Sequence, residues 1–230
     1  MAKELYSTSL FNDANLVAYY RLENTNDSKN SYNLTNNNSV AFNPAKFNNG
    51  ADFGTSNTNK YLSISNNLGI AGGNITLSFW IKLNTEIGSG TYGFIDQESL
   101  TNYTGNYVTY EYNGGTRRLT FNRVRQYVAV DGVAYNITLG TSSWYYVVYT
   151  YDGSNIRGYV NGSLVAGPVA SSGYGTGGGI NRFTIGWGGV GGYTSGIIDD
   201  AAVFSRVLSP TEISNFYNLG PSGIFFHNFL

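Results

Sequence analysis

Chemistry in this chain would have to come from carboxylates, because few other reactive groups are present. The 230 residues hold no cysteine and a single histidine, His227, in the apolar segment PSGIFFHNFL at 221–230. No Gly-x-Ser-x-Gly turn exposes a nucleophile, so a Ser-His-Asp triad is not expected. Two acidic pairs remain. Asp199 and Asp200 are adjacent inside the strand-like run SGIIDDAAVFSRVLSP at 195–210. Side chains alternate along a strand, so one of the two is expected to face inward. A buried carboxylate there needs a cation, a donor cluster or a shifted pKa. Asp96 and Glu98 share one face of FIDQES at 94–99 with no third acid in register, which reads as a polar strand end. GWGGVG at 186–191 has the spacing of a phosphate-cradling loop. The chain continues into a turn and a strand instead of a helix, so that role is not expected.

The elements that must position these groups are strands. Tyr (20), Gly (30) and abundant Asn, Ser and Thr, with 16% aromatics, combine strand formers with residues that tolerate tight turns. Strand-like runs recur at 16–22, 60–65, 74–83, 92–98, 106–112, 118–125, 134–139, 143–152, 155–165, 182–187 and 196–208. Asn113-Gly114, Asp152-Gly153 and Asn161-Gly162 are hairpin turn signals. One helix is expected in SPTEISNFYNLG, with Ser209 capping, Pro210 at the first position, Glu212 completing a capping box and the end near Gly220. The expectation is one all-β domain over 1–230, a two-sheet antiparallel sandwich with a core at about 15–218. The two terminal segments either pack on it or dock to a partner.

Charge excludes one class of partner. With 12% charged residues and a net charge of −1, no strong basic field exists for nucleic acid. The start MAKELYSTSLFNDANL lacks an apolar core, and no later stretch is apolar enough to span a bilayer. A protein made in the cytoplasm and acting on a virion or an extracellular surface is the expectation. Asn-x-Ser/Thr triplets such as NIT at 74–76 arise by chance in so Asn-rich a chain.

Several segments together resemble the laminin-G-like, concanavalin-A-like lectin/glucanase jelly-roll family. LVAYYRLENTNDSKNSYNLT is similar to its first strand and polar loop, FNNGADFG and KYLSIS to the next elements, and ITLSFWIKLN to its central strand. WYYVVYTYDGSNIRGYVNGSLVAGP is the most specific match, and GIIDDAAVFSRVLSPTEISNFY matches the closing strand and helix. Two departures are visible. The polar loop NDSKNS carries less glycine than the family pattern, and Tyr145 or Tyr146 stands where a His often follows the Trp.

The resemblance implies a calcium ion at the sandwich rim, held by Asp27, Asn30 and Asp199, with Asp200 left to the opposite, solvated face. The alternative is that Asp199 accepts backbone amides with no metal. It also implies sugar recognition by aromatic faces and a few polar groups. Trp187, in the Gly-rich IGWGGVGGYTSG, is the leading ligand-binding candidate, joined by Tyr103 in LTNYTGN and by Arg123 and Arg125 on one strand face. Laminarinase-like members carry catalytic acids as Glu-x-Asp-x-x-Glu, about 5–5.5 Å apart for retention. Asp96 and Glu98 only approach that pattern. The expected function is thus a non-enzymatic recognition or adhesion module for a cell-surface glycan or protein. A structural subunit of a virus particle, such as a phage fibre, decoration or tail-tip protein contacting other virion subunits, is the alternative, and a glycoside hydrolase a minor one.

Overall fold

A computed structural model describes residues 11–55, 58–70, 73–98, 105–125, 129–171, 181–187 and 192–219. Fifteen strands among them, numbered in chain order, form two antiparallel sheets. The first runs β13 (Ser163–Ala170), β12 (Asn155–Val160), β11 (Tyr145–Tyr151), β6 (Ile75–Leu83), β15 (Gly196–Phe204), β4 (Asn49–Asp52) and β3 (Ala41–Pro44). β1 (Leu16–Tyr20) also pairs with β15. The second runs β10 (Ala129–Asn136), β9 (Thr116–Arg125), β8 (Gly105–Asn113), β7 (Gly90–Glu98), β14 (Arg182–Ile185), β5 (Tyr61–Ile64) and β2 (Thr35–Asn37).

The expected hairpins form where expected. Gly114 and Gly153 have φ of 58° and 89°, and Asn161 and Gly162 take 51° and 82°. The run at 155–165 is therefore two strands, β12 and β13, folded at that turn. The short polar strands β2, β3 and β4 have no apolar alternation to announce them.

Phe79, Phe94, Phe121, Phe183, Tyr149 and Tyr151 interleave between the sheets. A second apolar layer covers the outer face of the first sheet. There the helix α1 (Pro210–Leu219) lays Ile213, Phe216 and Tyr217 against Tyr19, Trp80, Tyr146, Tyr159 and Phe204. Burying each such side chain contributes about 1.5–3 kcal/mol. The helix begins with the expected reciprocal cap: the Ser209 hydroxyl accepts from the Glu212 amide (3.2 Å), and Glu212 accepts from the Ser209 amide (2.7 Å). β15 is covered on both sides, so all nine of its residues are buried.

Candidate functional site

The adjacent carboxylates do not divide into one inward and one solvated group. Asp199 and Asp200 are 0% and 1% exposed. The β15–β6 register shifts between Asp199 and Ala202, and Asp200 sits at φ 47°. This bulge inserts an extra residue and breaks the alternation. Ile198 and Ala201 point into the sandwich, while both carboxylates lie toward the outer layer beside Tyr19 and Trp80. Asp199 accepts from the Phe47 amide (2.8 Å), and Asp200 accepts from the Tyr19 hydroxyl (2.5 Å). Burial, then the charge of Asp200, pushes the Asp199 carboxyl up to about 8. Burial and the same Asp200 carboxylate push the Tyr19 hydroxyl well above its ordinary value.

Asp27 serves a different segment. Its carboxylate accepts from the amides of Tyr19 (2.9 Å), Lys29 (2.9 Å), Asn30 (3.0 Å) and Tyr32 (3.3 Å). The Asn30 side chain donates to the Val17 carbonyl (2.6 Å), and the Ser28 amide to the Tyr19 carbonyl (2.8 Å). The loop after β1 thus lies along the free edge of that strand. Asp199 stands on β15 opposite Trp80 of β6, beyond the stretch of β15 that pairs with β1. Asp27 draws its donors from β1 and from its own loop, Asp199 from the β3–β4 turn. Asp27 and Asn30 are thus engaged with the backbone of the loop and of β1, and Asp199 with the β3–β4 turn, and among the described residues no group of three or more acidic or histidine side chains converges. Asp27→Ala is expected to cost about 3 kcal/mol, since bonds to a charged acceptor contribute roughly 1.5–3 kcal/mol each.

Arg123 lies in the interior, contrary to a ligand-contacting role. Leu119, Phe121 and Arg123 share the core face of β9, and the arginine is 0% exposed. Its guanidinium donates to Asn106 Oδ1 (2.8 Å) and lies 3.7 Å from the Tyr151 ring centroid. Asn106 also accepts from the Tyr149 hydroxyl (2.8 Å) and donates to Gln97 (3.1 Å), so one polar network ties the two sheets together. Tyr103 and the side chain of Arg125 lie outside the described residues.

Trp187 follows β14 and is half-buried. Gly186 turns the chain at φ 88° over the Phe53 ring, where a Cβ would stand 2.2 Å from a ring carbon. The chain returns through a bridge between Trp187 and Tyr193, which sets their rings side by side at 5.9 Å and 17°. Tyr61 of β5 completes the group, 5.1 Å from Trp187 and 6.1 Å from Tyr193. All three rings are half-buried and belong to neither core layer. The Arg182 guanidinium lies 4.1 Å from the Trp187 ring and is ion-paired with Glu98. Burial lowers the pKa of this guanidinium, and the Asp96 charge opposes the shift.

Alternation places Tyr61, Arg182, Thr184, Asp96, Glu98, Tyr107 and Asn122 on the outer face of the second sheet, because Leu62, Phe183, Val108 and Phe121 fill the inner one. Asp96 and Glu98 do share a face, as the sequence indicates, but are 0% and 5% exposed.

The Concanavalin A-like lectin/glucanases superfamily is matched over residues 55–214. No curated protein matches the sequence. Among solved structures, domain 4 of AbnA, a GH43 extracellular arabinanase from Geobacillus stearothermophilus, in complex with arabinotriose, superposes with a TM-score of 0.66 at 15% identity, covering 88% of this chain and 98% of that one. The botulinum neurotoxin serotype C1 binding domain gives 0.71 at 18%, covering 90% and 52%. The botulinum neurotoxin DC binding domain in complex with rat synaptotagmin II gives 0.70 at 16%, covering 95% and 53%. The chain spans about half the length of these toxin domains. Among the described residues no helix is long and apolar enough to cross a membrane.

Proposed function

We propose that this chain, which belongs to the concanavalin A-like lectin/glucanases superfamily, is a non-catalytic module that binds glycans through the Tyr61–Trp187–Tyr193 cluster. The observation that carries the reading is the cluster itself: three half-buried rings gathered from β5 and the two ends of one loop, outside both core layers. Aromatic faces cover the apolar side of a sugar ring, and the polar groups beside them fix its orientation. Arg182, clamped between Glu98 and the indole, holds the Trp187 ring in place.

Several fold neighbours support this reading, although one holds a protein, rat synaptotagmin II. Domain 4 of AbnA was solved with arabinotriose, cell entry of botulinum neurotoxin type C depends on interaction with two ganglioside molecules, and the botulinum neurotoxin DC binding domain was solved in complex with SialylT. A hydrolytic reading is disfavoured by the acids available. Asp96 is fully buried and Glu98 is neutralised by Arg182, so neither is free to protonate a leaving group or attack a sugar.

A glycan array probed with the wild type and with Trp187→Ala tests the proposal. Binding to a defined group of glycans, weakened at least about 10-fold by the substitution, is the expected outcome. A folded wild type that is silent across the array contradicts it.

A further inference from the structure

Tyr193 does not end at open protein. Its strand segment runs beside β7, with the Gly93 amide donating to the Gly192 carbonyl (2.8 Å). Gly93 faces Thr109 on β8, which faces Thr120 on β9. The Gly192 amide also donates to the carbonyl of Thr91 (2.8 Å), whose side chain shares the outer face, so the segment that carries Tyr193 borders the surface that leads to these threonines. Two shallow depressions of about 150 and 220 Å³ lie there on the outer face. They share Glu111, Thr120 and Asn122 as lining, so they form one trough.

The floor of the trough is a chain of oriented polar groups. The Asn122 amide donates to the Thr120 hydroxyl (2.7 Å), which lies 2.5 Å from the Thr109 hydroxyl. Gly132 on β10 makes room for this amide, because a Cβ there would stand 2.1 Å from Asn122 Oδ1. The guanidinium groups on this face are already matched. Arg118 pairs with Glu111 (2.5 Å), and Arg182 pairs with Glu98. A ligand carboxylate would have to break one of these pairs.

We infer that the trough extends the ring cluster into one site for a linear, uncharged oligosaccharide lying across the strands from Tyr193 to Asn122. The inference rests on the glycan-binding reading above. Hydroxyl-rich, neutral and elongated is the chemistry that matches an aromatic end, a floor of Thr and Asn side chains and internally neutralised arginines. Neighbouring strands are about 4.8 Å apart, so the three steps from the Tyr193 segment through β7 and β8 to β9 span roughly 14 Å, room for more than one sugar ring.

Titration calorimetry with cello-, laminari-, xylo- and arabino-oligosaccharides, from monosaccharide to hexasaccharide, tests it, with lactose and sialyllactose as a neutral and charged pair. Affinity should rise about 10-fold with length in one of the series, and lactose should bind no more weakly than sialyllactose. Asn122→Ala should abolish the gain with length while leaving the shortest bound sugar unchanged. Tyr107→Phe, which removes only a hydroxyl at the trough wall, should reduce that gain in a fully folded protein. Binding that is sensitive to Trp187→Ala but flat with length, or tighter for sialyllactose, overturns the trough and leaves the ring cluster standing. A length gain that survives both trough substitutions overturns it equally. No binding anywhere in the panel overturns both.

Discussion

Arg123→Ala should unfold the protein about 3–5 kcal/mol more readily and lower the melting temperature by about 10 °C, with no separate effect on ligand affinity in the molecules that remain folded. The side chain is among the largest fully buried groups in the structure. Its removal leaves a cavity between the sheets and deletes the bond to Asn106 and the contact with the Tyr151 ring. The register also sets Asp131 of β10 directly opposite, so the substitution strips a carboxylate of a facing cation. Denaturant unfolding monitored beside glycan titration separates the two roles. Lost affinity at unchanged stability would return Arg123 to the binding surface.

Asp199→Asn should stabilise the protein increasingly as pH rises toward 8. The folded-state pKa of about 8 lies far above the roughly 3.9 of an unfolded aspartate. Its contribution is therefore fully present below about pH 4 and is lost as pH rises through the folded value. Between these limits the cost grows steadily with pH. Burial dominates, and Asp200, beside it on β15, adds to the shift. The backbone amides of Phe47, Asp200 and Lys46 oppose it. The other titratable groups around this layer are Tyr19 on β1, Arg21 just beyond it, Tyr146 on β11 and Lys46, whose ammonium lies 4.7 Å from the Trp80 ring. Asparagine keeps an acceptor for the Phe47 amide and has no proton to lose. Melting curves of both proteins from pH 5 to 8 should diverge, and parallel curves would place the shift elsewhere.

These two residues also show what can be read along the chain. Hairpins at Asn113-Gly114 and Asp152-Gly153 and the cap at Ser209 are local chemistry, so they are legible before any tertiary contact is known. Arg123 carries a local signal that its assignment to a ligand-binding face overlooks: alternation puts it with Leu119 and Phe121, and a polar residue at an inward position means an interior network. The bulge at Asp200 was not legible. It exists because the β3–β4 turn and α1 cover the outer face of β15, making a buried home for two carboxylates that strand periodicity alone assigns to opposite sides. The ring cluster was half legible. The Gly-rich loop marked Trp187 as a surface aromatic, but nothing distinguishes Tyr61 or Tyr193 among 20 tyrosines until β5 and β14 pair.

The central claim, that glycans dock on the Tyr61–Trp187–Tyr193 rings, is tested most directly by following the indole N–H signals of the three tryptophans during glycan titration. Trp80 is 2% exposed beneath α1, and Trp144 packs at the edge of the same layer. The Trp187 indole should shift and saturate with the ligand while the other two hold still. A bound glycan that leaves Trp187 in place, or moves only Trp80 or Trp144, would contradict the assignment.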